Sequence, residues 1–341
     1  MLAILLAGCQ SFGPATVPRD RVRYADAVTA STREQMLLNV VRLRYLEPAA
    51  FIDVSSVVAS YTFAADGRVS FNVQPRARAN DAWGFGVGVN VAESPTVSYA
   101  PITGERLANT LLRPIPPAAV FGLIAAGART DFLLRMTCQS INGLRNAATG
   151  ASARPADPGF SELVERLSRL AEAGAIGLRR PAAADGTEPS AVSMLSFDTA
   201  DASLEPDRRR VFELLRLAPE RNEATLLYGG GAHGDGEVAV LTRSLQALLG
   251  ELGAGVEVPA EDIAQGRATP RAASGGVSLR VRASPEPPVD AALAVWYRER
   301  WFWIDDRDLE SKRTFMFLLI FASLVETGGV PQAPLLTIPT R

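Results

Sequence analysis

Few residues in this chain are equipped for chemistry. It has one histidine, His233, and two cysteines, Cys9 and Cys138, among 37 acidic and 35 basic residues. A Ser/His/Asp triad would have to use His233, and the Gly-x-Ser-x-Gly elbow of hydrolases is absent from the sequence. A glycosidase needs two carboxyl groups about 5–9.5 Å apart, and 37 acidic residues do not single out a pair. With one histidine and so few thiols, a zinc site would rest on carboxylates; no metal and no cofactor are expected. Asp305, Asp306 and Asp308 read as an acidic helix start, which the helix dipole favours. His233 lies in Gly229-Gly230-Gly231-Ala232-His233-Gly234-Asp235-Gly236, which lacks the Lys and Ser/Thr of a phosphate loop and reads as a surface loop. Cys138 sits in Leu133-Leu134-Arg135-Met136-Thr137-Cys138-Gln139, a helical, half-apolar pattern. That pattern suits a buried inert thiol, since thiolate chemistry wants an accessible, electropositive setting. No catalytic residue is assigned.

Cys9 has a different setting. The apolar run of residues 1–7 ends in Ala7-Gly8 and then Cys9. Two small residues let an extended backbone enter a narrow peptidase site and leave the sulfur free to be alkylated. Leu5-Leu6-Ala7-Gly8-Cys9 resembles the lipobox of bacterial lipoproteins, which implies cleavage before Cys9 and a diacylglyceryl thioether on its sulfur. The run is too short to span a bilayer, which takes about 20 residues. A secretory signal also carries a basic n-region, and no Lys or Arg precedes Arg19. The alternative is an N-terminus buried in the fold. Residues 10–18 contain turn formers without periodicity, as a tether would. By the same resemblance Gln10 after the cysteine, rather than Asp, favours the outer membrane. With Cys9 lipidated, Cys138 would have no disulfide partner.

A third feature is structural. In residues 83–91, Gly84, Gly86 and Gly88 alternate with Phe85, Val87 and Val89. As a strand this has one face of bare backbone and one apolar face. Glycine within a strand marks a bulge, tight packing or close approach of another backbone. The two expectations are a tightly packed strand and a surface on which a partner chain docks through Gly84, Gly86 and Gly88.

The elements that would carry these residues are mixed. Ser31-Thr32-Arg33-Glu34 forms a capping box for a helix over residues 35–45, which Pro48 ends. Residues 51–63 read as a strand, and Asp66-Gly67 before Val69-Ser70-Phe71-Asn72-Val73 reads as a hairpin turn. A strand is expected over 96–99. Helices follow at 104–112, capped by Thr103, then at 118–126, 130–145 and 160–173. Strands at 176–180 and 191–197 flank Asp185-Gly186. A helix is expected at 207–217, a short strand at 226–228 and a helix at 242–252. Strands at 277–283, 292–297 and 301–304 form a three-stranded meander, with a tight turn at Arg298-Glu299-Arg300, before a helix over 308–326 buried nearly all round. The fold class is therefore α+β, with mixed helices, antiparallel hairpins and a C-terminal three-stranded meander packed on a buried helix. The organisation expected is a signal and tether over 1–22, an α/β region over 23–147 with the hairpin and the glycine-rich strand, and an α+β region over 160–341.

At 341 residues and 47% hydrophobic content the chain can bury a core. A net charge of −2 with interspersed signs gives no footprint for nucleic acid and no polybasic membrane patch. Lys312 is the only lysine.

Four stretches together resemble an uncharacterised family of Gram-negative envelope lipoproteins. They are Arg33-Glu34-Gln35-Met36-Leu37-Leu38-Asn39, Phe51-Ile52-Asp53-Val54-Ser55-Ser56-Val57, Ser140-Ile141-Asn142-Gly143-Leu144-Arg145-Asn146 and Trp301-Phe302-Trp303-Ile304-Asp305-Asp306-Arg307-Asp308. The resemblance implies a lipoprotein of the cell envelope, on the outer membrane and facing the periplasm, and carries no activity with it. The leading expectation is a non-catalytic binding or scaffolding protein, held to the membrane by lipid on Cys9 and contacting an envelope protein. The alternatives are an envelope hydrolase using His233 or a carboxylate pair, and an accessory lipoprotein of a secretion or transport assembly.

Overall fold

The computed structural model describes residues 12–58, 61–71, 83–93, 95–149, 153–179, 193–198, 201–231, 234–270 and 279–326. The chain divides into two units, one of residues 1–30 and 51–102, the other of residues 31–50 and 103–341.

The first unit is a set of paired strands. β1 (Ile52–Val58) pairs antiparallel with β4 (Thr96–Pro101), with a bulge between Val54 and Ser56. β2 (Tyr61–Phe71) pairs antiparallel with β3 (Trp83–Glu93) over eleven consecutive residues. Each pair forms a two-stranded sheet of its own. The expected turn at Asp66-Gly67 is therefore corrected: both residues lie mid-strand, opposite Gly88 and Val87. Eleven matched pairs outweigh the local turn preference of one dipeptide, as strand context commonly outweighs propensity.

α1 (Phe12–Arg44) begins in this unit's residues and ends in those of the second. The capping box at Ser31 and the tether over 12–18 are corrected, since both lie within this helix. A box signals a helix start only where the preceding chain is not helical. Here Arg19, Arg21, Arg23, Ala25 and Ala27 precede it, and Arg and Ala are strong helix formers. The helix ends at Arg44 and Leu46 turns into the left-handed region at φ 59°.

The second unit holds a six-stranded mixed sheet of order β6-β5-β10-β9-β8-β7. Its strands are β5 (Cys138–Ile141), β6 (Leu144–Arg145), β7 (Ile176–Arg179), β8 (Ser193–Phe197), β9 (Glu223–Tyr228) and β10 (Glu237–Thr242). Every pairing is antiparallel except β9 with β10, which is parallel. Only eight residues separate β9 from β10 in sequence, where parallel neighbours usually need a dozen or more. β10 is central, with Val238, Ala239 and Val240 all buried. Such a short continuous apolar run is ambiguous between helix and strand, and the sequence reading had no strand there. The expected boundary between 147 and 160 falls inside this unit, because the sheet takes β5 and β6 from before it and β7–β10 from after.

Helices α2 (Gly104–Leu112), α3 (Pro117–Ala125), α4 (Thr130–Thr137), α5 (Pro158–Glu172), α6 (Glu205–Leu215), α7 (Leu245–Gly253) and α8 (Ala260–Ala264) complete the centre of the unit. The helix expected to continue to residue 145 stops at Thr137, where β5 begins. α3 packs on β7, β9 and β10, and α5 on α4 and α6. α5 follows its sequence pattern: Phe160, Leu163, Val164, Leu167 and Leu170 form one buried stripe. Each such side chain contributes about 1.5–3 kcal/mol on leaving water.

The C-terminal three-stranded antiparallel sheet is present, built from β11 (Arg282–Ser284), β12 (Ala291–Tyr297) and β13 (Arg300–Asp305). Its order is β11-β13-β12, so the last strand is the middle one. α9 (Leu309–Glu326) packs on β13, α2 and α7. It is buried on one face rather than all round: Ser311, Thr314, Phe315, Leu318, Phe321 and Ala322 are covered, while Met316 is half exposed. Among the described residues no helix is long and apolar enough to cross a membrane.

Candidate functional site

The longest regular surface of the first unit is the β2–β3 ribbon. Its register sets Gly84, Gly86 and Gly88 opposite Ser70, Arg68 and Asp66. Alternation along strands puts residues two apart on one face. One face of the ribbon therefore carries the three glycines, Ala64, Ala92, Thr62, Asn90, Ser70, Asp66 and Arg68. The other carries Phe63, Val91, Ala65, Val89, Gly67, Val87, Val69 and Phe85, with Tyr61 and Glu93 paired at one end and Phe71 and Trp83 at the other. The ribbon is amphipathic over its whole length. Among the described residues no third strand pairs with either β2 or β3, so each outer edge has a row of backbone groups open to another strand.

The remaining candidate residues are dispersed. Cys9 and His233 lie outside the described residues. Cys138 is fully buried, and burial pushes its thiol up to about 11, so it stays protonated near neutral pH. Asp308 accepts hydrogen bonds from the Ser311 amide (3.0 Å) and the Ser311 hydroxyl (2.8 Å) at the start of α9. Asp305 pairs with Arg282 at 3.2 Å, and Asp306 with Lys312 at 2.7 Å. These three acids are thus divided among three separate cationic or hydroxyl partners. Among the described residues no group of three or more His, Cys, Asp or Glu side chains is placed to hold a metal.

Two of the stretches singled out in the sequence hold asparagine side chains that clamp backbone. Asn39 donates to the Ala50 carbonyl and accepts from the Ala50 amide, closing the turn after α1. Asn142, at φ 43°, donates to the carbonyls of Leu215 and Glu237 and accepts from the Ala239 amide. Asn146 donates to the carbonyls of Arg135 and Cys138 and accepts from the Ala147 amide. Beside it, buried Arg243 donates to the carbonyls of Arg135, Met136 and Ala147, with Glu251 at 3.8 Å. Sequence reasoning passed over Arg243, because nothing in its neighbours marks an arginine as buried.

The second unit also has an open groove of about 510 Å³, which sequence reasoning did not find. Leu293, Ile304, Phe315, Met316 and Leu319 line it together with Arg33, Lys312 and Arg313. Lys312 is tied to Asp306 there. A mainly apolar lining that includes cations suits an apolar group that ends in an anion.

No protein-family model, curated protein or solved structure matches the chain.

Proposed function

We propose that the chain is a lipid-anchored envelope protein with a non-catalytic assembly role. In this reading Cys9 holds it to the membrane, the mixed-sheet unit is its folded body, and the β2–β3 ribbon is its contact element. The ribbon is the observation that carries the proposal. A two-stranded ribbon is marginal by itself in water, yet this one runs for eleven pairs, with an apolar face free of charge between its ends and, among the described residues, no third strand on either edge. A surface of that kind is completed by other strands. The lipobox-like Leu5-Leu6-Ala7-Gly8-Cys9 and the resemblance to Gram-negative envelope lipoproteins support the anchor. The dispersed titratable groups favour binding over hydrolysis.

The test exploits the register. Val58 pairs with Thr96 at the end of the β1–β4 ladder, so replacing residues 59–95 by Asn-Gly closes that ladder as an ordinary hairpin. Native mass spectrometry of detergent-extracted protein should show a multimer for the wild type and a monomer for the shortened chain, with the thermal transition of the body retained. A monomeric wild type, or a multimer that survives the replacement, would overturn the assembly role.

A further inference from the structure

We infer that β2–β3 is a membrane-spanning hairpin, one of several contributed by copies of this chain to a shared β-barrel. The inference rests on the assembly reading above and names what the ribbon assembles into. Four observations carry it. The first is length: eleven residues per strand rise about 36 Å at ~3.3 Å each. At the ~45° tilt of spanning strands this projects to about 25 Å, and spanning strands take about 9–11 residues. The second is composition by face: no charged residue lies on the apolar face between its two ends, whereas Asp66 and Arg68 both lie on the glycine face. Dyad alternation of this kind is the signature of strands with lipid outside and water inside.

The third observation is at the ends. Tyr61 lies at one end of the apolar face and Phe71 and Trp83 at the other, matching the two aromatic girdles of barrel strands. The fourth is that, among the described residues, no further strand pairs with either edge. Hydrocarbon does not tolerate unpaired backbone amides and carbonyls, so two strands cross a bilayer only within a closed sheet. Each copy supplies two strands, and a barrel needs about eight, which sets a minimum of about four copies. The small and polar face then lines the interior. A soluble partner chain adding strands to the edges would satisfy the hydrogen bonds but leave the uncharged, two-girdled face without a reason.

The experiment is a scan of single cysteines at residues 64, 65, 87, 89 and 90, which leaves the glycines intact, in the full-length Cys9→Ser chain, each carrying the environment-sensitive dye NBD. Cys138 is fully buried and does not compete for the label. The probe is a vesicle of phosphatidylethanolamine and phosphatidylglycerol. Emission should shift to the blue at 65, 87 and 89 and be quenched there by spin-labelled lipid tails, while 64 and 90 answer to aqueous iodide. In unlabelled protein, Val89→Arg should abolish release of trapped dye and its neighbour Asn90→Arg should retain it, with an unchanged thermal transition in both. A flat scan, a scan with even positions in lipid, equal release by the two variants, or no vesicle binding would each overturn the membrane hairpin. A multimer in detergent alongside a flat scan removes this inference and leaves the assembly role; a monomer removes both.

Discussion

Gly86 of β3 stands directly opposite Arg68 of β2, one step along the same face from the Gly88–Asp66 pair. Asp66 and Arg68 are thus each matched to a position without a side chain. Filling one such position is a selective perturbation. Val is a better strand former than Gly by up to about 1 kcal/mol, so Gly86→Val should not unpair β2 from β3. It should crowd Arg68 and the face that assembly turns inward. The expected result is loss of the multimer in native mass spectrometry with the thermal transition of the body unchanged; a multimer of wild-type mass would contradict the role of this face.

Asn146 holds three backbone groups at once, the carbonyls of Arg135 and Cys138 and the amide of Ala147, and is 2% exposed. Asn146→Ala leaves these groups without their partner. Each orphaned buried group costs about 1–3 kcal/mol, so a loss of about 3 kcal/mol is expected as a lower urea midpoint with an unchanged slope. A shift under about 0.5 kcal/mol would show that this asparagine is not the clamp between α4 and β5.

The β12–β13 hairpin turns through Arg298 at φ 47° and Glu299 at φ 60°, both left-handed. A two-residue turn with both centres left-handed favours Asn-Gly. Arg298 is retained by its ion pair with Glu47 at 2.6 Å and by its place over the Tyr45 ring. Glu299→Gly keeps those contacts and removes left-handed strain of about 1 kcal/mol. Thermal denaturation should show a higher midpoint; an unchanged or lower one would mean the turn carries no strain at that residue.

Acid should weaken the C-terminal sheet and helix. At Asp308 burial acts upward, but the Ser311 amide and hydroxyl and the Arg280 charge together hold the carboxyl below its usual range. In α6, Glu205 is likewise held down, at about 2, by hydrogen bonds from Arg208 and Arg209. A carboxylate depressed in the fold adds stability that is present above its unfolded pKa, about 4. That stability is lost as pH falls through the folded value. Asp308→Asn still accepts from the Ser311 amide and should therefore lose less stability than wild type between about pH 5 and 3. Equal urea-midpoint losses on acidification would contradict the depression.

Local pattern carried much of this fold. The stripe of Phe160, Leu163, Leu167 and Leu170 and the pairing of β7 with β8 were legible because periodicity and a nearby partner agree. β10 was not, since Val238, Ala239 and Val240 are covered by neighbours far away in sequence. Asp66-Gly67 misled for the same reason in reverse: a turn preference within two residues yielded to a strand pair that only the register of β3 defines. At the candidate site, the alternation of glycine with Phe85, Val87 and Val89 was visible at once. Its partner face is not, because Asp66-Gly67 reads locally as a turn. Buried polar clamps such as Arg243 leave no mark in their own neighbourhood, and they surface only when the carbonyls they serve are brought together.

The proposed lipid anchor at Cys9 is the central claim, and intact-mass analysis of the N-terminal peptide tests it most directly. In protein taken from the membrane fraction of a Gram-negative host with an upstream signal supplied, the chain should begin at Cys9 and carry a diacylglyceryl group. The Cys9→Ser chain should carry none. A wild-type chain that retains residues 1–8 and an unmodified Cys9 would contradict the lipid anchor and with it the placement in the envelope.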